Sequence, residues 1–302
     1  MIIICGPTAS GKTELAYKLA EKINIEIISA DSRQIYKYLS VGTAKPAGKW
    51  VNDRYIAGNL PYHLVDFINP DQQFNAGEFV TRSKELINKI ESEKKVPVIV
   101  GGTGLYIKSL IDGLSVLPEK NDIIRSRLQQ LADKNGPKYL HDMLVRIDPV
   151  SAKKIHENNI HRLIRTIEVY ELTGKPISEL HKIKNKNFSD NSYIYIGLFP
   201  GKAELHERIE NRVKVMLETG MLEETRNIIK MGYPETCSGL QSVGYKYIIM
   251  YLKKLISYDI MLKNIITDTK HYAKRQLTWF NGDKRIIWIN NISEINKVWK
   301  MC

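Results

Sequence analysis

The sequence predicts an α/β fold: a parallel sheet covered by helices on both faces and interrupted by an all-helical insertion. Three observations predict it. Near-continuous apolar runs of strand length alternate with helical periods in the first third of the chain, a glycine-rich loop follows the first run, and no convincing strand appears from about 114 to 188.

Taken in order, IIIC (2–5) is the first strand and is followed by a helix near 12–22. EIISAD (26–31), HLVDF (63–67) and PVIVGG (97–102) read as strands, and 76–92 and 103–111 as helices. In such sheets ligands bind beyond the carboxyl ends of the strands, so residues 6–13, Asp31 and Gly101 to Thr103 are expected to converge. Helices then follow one another, at 122–134 and in HRLIRTIEVYELTGKPISEL (161–180), where Gly174 and Pro176 give a stop. KIKNKNFSDN (182–191) reads as a polar linker, after which YIYIGLFP (193–200) resumes a strand. The stretch 204–220 places Leu205, Ile209, Val213, Met216 and Leu217 along one helix face, with Gly220 just past the end. A long helix at about 259–280, a last strand RIIWIN (285–290) and a closing helix at 292–302 complete the reading. The expected domains are a core of 1–113 and 189–302 and an insertion of 114–188.

Composition narrows the function classes. No apolar run approaches the roughly 18 residues of a membrane span, and no leader pattern opens the chain, so a cytoplasmic location is expected. Cys5, Cys237 and Cys302 form no Cys-x-x-Cys pair, which argues against a disulfide frame or a zinc site. The net charge is +12; residues 1–110 carry 14 Lys+Arg against 11 Asp+Glu, leaving 31 against 22, a surplus of +9, for the rest. A basic excess suits an anionic polymer, although solvated lysine faces would give the same count.

The chemistry begins at GPTASGKT, which fits the phosphate-cradling template from Gly6 to Thr13 between an apolar strand and an amphipathic helix. Backbone N–H groups of such a loop and the helix N-terminus stabilise phosphate oxygens, Lys12 adds charge, and Thr13 can ligate Mg²⁺. The loop alone leaves the ligand open, because kinases and GTPases use the same device. Asp31 ends an apolar strand at the loop's edge of the sheet, where it can serve as a metal ligand, as a general base or as a turn former. The strand PVIVGG ends without an acid. Arg208 and Arg212, four apart on a helix, can reach one anion, and His161, Arg162 and Arg165 are similarly spaced.

Several strings occur together in one order: GPTASGKTELA, SADSRQIYKYLSVGTAKP, PYHLVDFINPDQQFNAGEF, VIVGGTGLYIKSL, HRLIRTIEVYELTGKPISEL, GLQSVGYKY and AKRQLTWF. On these the chain resembles the bacterial tRNA dimethylallyltransferase family over nearly its whole length. The resemblance implies a P-loop NTPase-like core that transfers a dimethylallyl group from dimethylallyl diphosphate to N6 of the adenine immediately 3′ of the anticodon. It implies that Gly6, Pro7, Thr8, Ala9, Ser10, Gly11, Lys12 and Thr13 hold the diphosphate, with Thr13 on Mg²⁺ and Arg212 assisting its departure. Asp31 would be the general base, and Ser32, Arg33 and Gln34 would line the adenine pocket. Thr103, Arg125, His161, Arg162, Leu163, Ile164 and Arg165 would contact tRNA, as would Gln241, Ser242, Val243, Gly244, Tyr245 and Lys246. The insertion would grip the anticodon stem-loop, and a monomer without membrane contact is expected. Three positions depart from the family pattern: Tyr38 stands where glycine is common, Tyr62 where histidine is common, and Tyr247 follows GYK where glutamate is usual.

Overall fold

Period-two alternation in the first strand sets the layers. In β1 (Ile2–Cys5), Ile2 and Ile4 pack on one side of the sheet with Leu15 and Leu19, while Ile3 and Cys5 pack on the other with Phe79, Ile107 and Phe280. A strand buried on both faces has no polar position to spare, which is why IIIC reads as an unbroken apolar run.

The computed structural model of the chain describes residues 1–115, 117–182, 187–189 and 192–295, in two compact units: Met1–Ile111 with Phe188–Cys302, and Asp112–Asn187. In the first unit β1 is followed by α1 (Lys12–Ala20), β2 (Ile25–Ser29), β3 (Gly48–Val51), β4 (Arg54–Ala57), β5 (Leu60–His63), α2 (Ala76–Ser92), β6 (Val96–Gly101) and α3 (Gly104–Asp112). The second unit holds α4 (Asp122–Asn135), α5 (Pro137–Ile147), α6 (Pro149–Ala152), α7 (Ile160–Thr173) and α8 (Ile177–Leu180). The chain returns to the first with β7 (Ile194–Leu198), α9 (Lys202–Glu218), α10 (Met221–Lys230), α11 (Tyr245–Leu252), α12 (Tyr258–Asn281) and β8 (Ile287–Ile289).

The eight strands lie in the order β3-β4-β5-β2-β6-β1-β7-β8, parallel except for the β3-β4-β5 edge. Register pairs Cys5 with Gly101 and Gly197, which brings the carboxyl ends of β1, β6 and β7 to one rim. A further apolar cluster joins α9 to α12 through Ile209, Val213, Tyr245, Met261 and Ile265. The helical unit has its own core of Leu128, Leu140, Leu144, Leu163 and Ile167. No helix among the described residues is long and apolar enough to cross a membrane.

One expectation is corrected, and one element was not foreseen. HLVDF is not a strand beyond His63, because Leu64 (φ 57) and Asp66 (φ 56) are left-handed and the segment runs as a loop beside Gln34 and Ile35. The β3-β4 hairpin was not anticipated; its turn uses Asn52 (φ 44) and Asp53 (φ 61), the positive pair of a type I′ turn achieved without glycine. The closing helix expected at 292–302 falls mostly outside the described residues: Ile292–Glu294 form a 3₁₀ turn, and residues 296–302 lie outside them. Most of the polar linker, 183–186 and 190–191, also lies outside them.

Candidate functional site

The loop between β1 and α1 closes around backbone that only special residues tolerate. Gly6 (φ 143) has no room for a side chain, since a Cβ there would come within 2.5 Å of the Leu198 carbonyl oxygen. Ala9 (φ 63) and Gly11 (φ 99) take left-handed conformations that turn the loop into the first turn of α1. Ser10 Oγ is buried and has no hydrogen-bond partner among the described residues. The Lys12 ammonium lies under the loop and donates to the Pro7 carbonyl at 2.6 Å.

Gln276 of α12 braces the loop from behind. Its Oε1 accepts from the Thr8 amide at 2.8 Å, and its Nε2 donates to the Gly102 carbonyl at 2.9 Å, tying β1's loop to the end of β6. From α9, Arg208 donates to the Ser10 carbonyl at 3.3 Å and to Glu204 at 2.6 Å, while Arg212 donates to Thr8 Oγ1 at 3.3 Å. Burial, and then Arg212 beside it, lowers the Lys12 pKa to about 8. Arg212 is itself lowered by burial, with Asp31 opposing. Two desolvated cations close together, with Asp31 the carboxylate acting on both, make a site that gains from an incoming anion.

Two cavities meet here. One, of about 380 Å³, is lined by residues 8–14, Tyr17, Gln34, Val100 and Gly101. The other, of about 290 Å³, has an apolar wall of Val213, Met216, Met221, Val243 and Ile265 beside Arg33, Tyr272 and Arg275. Thr8, Asp31, Thr43, Ala44 and Arg212 line both. Asp31 Oδ1 accepts from the Arg33 amide at 2.8 Å, which leaves the other oxygen for a ligand. Ser32 and Thr103 bond each other, the Ser32 amide donating to Thr103 Oγ1 at 3.0 Å, and Gln34 Nε2 donates to the Ala44 carbonyl at 3.0 Å.

The loop carrying Thr43 and Ala44 is itself pinned by a residue with no sequence signal, Glu224 of α10. Its carboxylate accepts from the backbone amides of Ser40 (2.6 Å), Val41 (2.7 Å) and Gly42 (3.0 Å), and from the Tyr245 hydroxyl (2.7 Å). Gln276 was in a string singled out in the sequence, but nothing in that string tells an amide brace from a surface glutamine.

Of the expected tRNA contacts, Gln241, Ser242 and Val243 line the second cavity. Gly244 (φ 100) is a helix-entry turn, and Lys246 is exposed but paired with Asp268 at 2.9 Å. Tyr245 is corrected: it is fully buried, with its hydroxyl committed to Glu224. In the helical unit, α7 points His161 and Arg162 outward and Leu163 and Ile164 into the core, so the side chains of the latter two are corrected to packing. Arg125 and Arg165 both reach fully buried Glu168, Arg125 through a two-pronged bond at 2.8 and 2.9 Å and Arg165 at 2.7 Å. Burial alone would raise the Glu168 carboxyl, but bonds from Arg125, Arg165 and the Asn121 amide outweigh it and hold the pKa down to about 2. Among the described residues no group of three or more His, Cys, Asp or Glu comes together to hold a metal.

Comparison with known proteins gives a consistent picture. A family model described as IPP transferase matches residues 34–283, and one described as isopentenyl transferase matches residues 1–56. A tRNA dimethylallyltransferase of Carboxydothermus hydrogenoformans is 43% identical, over 97% of this chain and 93% of that protein. One from Acetivibrio thermocellus is also 43% identical, over 96% of this chain and 91% of its own length. Among solved structures, the tRNA isopentenylpyrophosphate transferase of Bacillus halodurans matches with a TM-score of 0.69 at 32% identity, covering 99% of this chain and 95% of that one. A eukaryotic dimethylallyltransferase acting on tRNA matches with a TM-score of 0.78 at 26% identity, covering 100% of this chain and 77% of that one.

Proposed function

The chain belongs to the IPP transferase family, and from that premise we propose that it transfers a dimethylallyl group from dimethylallyl diphosphate to N6 of the adenine immediately 3′ of the anticodon in tRNA, releasing diphosphate. The observation that carries this reading is the junction of the two cavities at Asp31, one walled by the phosphate loop and the other partly apolar. A diphosphate in the first cavity places its prenyl C1 toward the second, where a base can enter.

In the reaction the C1–O bond to diphosphate breaks, the N6–C1 bond forms, and N6 loses a proton. The difficulty is the charge that gathers on the leaving diphosphate. Loop amides, Lys12 and Arg212 stabilise that charge in a desolvated place where donors are already oriented. Lys12 exchanges the Pro7 carbonyl for a phosphate oxygen. Asp31 takes the N6 proton on the oxygen that the Arg33 amide leaves free. The available donors near the loop, the Thr13 hydroxyl and diphosphate oxygens, are hard oxygens of the kind Mg²⁺ prefers, so Thr13 would hold that ion and the ion would add charge neutralisation on the diphosphate. The adenine must leave its stack to reach Asp31, which costs a few kcal/mol at most in a single-stranded loop. Exposed His161 and Arg162 then serve the phosphate backbone, with Arg33 at the base.

The test is to incubate the protein with labelled dimethylallyl diphosphate and either unmodified tRNA or AMP. Label on the tRNA adenine beside the anticodon is expected. Label in AMP alone, or ATP consumption with a phosphorylated product and no prenylation, overturns the reading.

A further inference from the structure

Away from the junction, the first unit carries a second concave surface that the transfer reaction does not use. Tyr38 is 48% exposed and stands at φ 67, a left-handed backbone that a bulky side chain rarely adopts. Its ring meets that of Tyr233 at 6.4 Å in a tilted contact. Trp50 comes from the edge strand β3, is 47% exposed, and is held in orientation on two sides. Its indole N–H donates to Asp66 Oδ2 at 3.1 Å, and its ring meets Tyr55 edge-on at 5.9 Å. The other Asp66 oxygen accepts from the buried Lys45 ammonium at 2.5 Å, so the carboxylate is neutralised from inside the protein. Lys37, Tyr38, Trp50, Asp66 and Phe67 line a surface groove of about 420 Å³.

Oriented aromatic faces left half-bare, a neutralised acid and a lysine suit one kind of occupant: a flat unpaired base whose phosphate lies by a cation. Its wall at Asp66 and Phe67 is tied by backbone bonds to the segment that follows Asp31. The Asp66 amide donates to the Gln34 carbonyl and the Phe67 amide to the Ile35 carbonyl, each at 2.9 Å. We propose that this groove stacks an unpaired base of the RNA substrate other than the one being modified, with Tyr38 and Trp50 as its platform. The inference rests on the reading that the chain acts on tRNA.

Two variants test it. Tyr38→Gly removes the ring and relieves the left-handed backbone, so its melting temperature should hold or rise. Trp50→Ala removes the second platform. In each, the KM for an unmodified anticodon stem-loop RNA should rise at least about fivefold, as for loss of one base stack. The kcat and the KM for dimethylallyl diphosphate should be unchanged, and the fold-change should be the same at about 50 and 200 mM salt, unlike that of a phosphate contact. Direct binding of the same RNA, read as quenching of Trp emission that Trp50→Phe abolishes, tests the groove even without turnover. An unchanged RNA KM in Tyr38→Gly and quenching that survives Trp50→Phe overturn the groove while leaving prenyl transfer intact. A wild-type protein that binds the stem-loop but never prenylates it overturns the reading of the reaction and leaves the groove standing.

Discussion

Two pairs of cationic side chains, one in each unit, are put to opposite uses. Arg125 and Arg165 both bond directly to the fully buried Glu168 within the helical unit. Lys12 and Arg212 are desolvated and line a cavity, and among the described residues no ion pair joins either to Asp31, the carboxylate that acts on both. Cations bonded directly to a carboxylate brace α4 to α7; cations without such a bond leave room for an anion. Sequence spacing does not separate the two cases, because what differs is direct contact with the counter-charge, and Glu168 lies 43 residues from Arg125.

The comparison breaks most visibly at Glu168. Glu168→Ala leaves two arginines without their buried partner and is expected to lower stability by about 3–5 kcal/mol, measured by denaturant titration. Full stability with lost turnover would instead make this cluster part of the chemistry. In the wild type the carboxyl is held down in the folded state, so its contribution is complete above the unfolded value of 4.5 and is lost as pH falls toward about 2. Acid unfolding monitored by circular dichroism should show that window, and Glu168→Gln should not.

Next in size, Arg212→Ala and Asp31→Ala should each reduce turnover by at least about 10²-fold, with RNA affinity largely kept. Single-turnover kinetics at saturating RNA measures this; a loss confined to KM would show that these groups bind without acting on the transition state. A smaller effect sharpens the electrostatic half. The free protein's Lys12 loses its proton above about 8, and a bound diphosphate favours the charged form. Diphosphate affinity should therefore fall by up to about tenfold per pH unit above that point, as followed by calorimetry. Removing Arg212 should move the break to higher pH, because it is the second cause of the lowered value. The smallest effect belongs to Arg162, exposed on α7: Arg162→Ala should weaken RNA binding a few-fold and flatten its salt dependence.

How far the sequence reached follows from where each signal lives. The phosphate loop, the apolar strands and the α7 stop at Gly174 are local patterns, written in neighbouring residues. Asp31 was legible as a residue ending a strand at the right rim, and its place at the junction of two cavities accords with that. Contacts across long separations were not legible. Glu224 reaches back 184 residues to Ser40, and no nearby residue distinguishes it from Glu223, which merely pairs with Arg226 at the surface. Tyr245, Leu163 and Ile164 were carried along with their strings, although a helix must alternate outward and inward side chains. The hairpin at Asn52 and Asp53 escaped because its turn lacks glycine, and HLVDF misled because an apolar run can pack as loop when a neighbouring segment satisfies its amides.

The Gln276 brace has a consequence for the order in which the protein is made. The Thr8 amide and the glutamine oxygen that accepts from it are 268 residues apart, and the Gly102 carbonyl completes the clasp from a third place. A growing chain that has already folded its first strands and helix still lacks this support until α12 has emerged from the ribosome. The loop is thus finished by a helix made long after the loop itself, so a nascent chain lacking α12 does not present a completed phosphate site to the RNA-rich surroundings in which it is born.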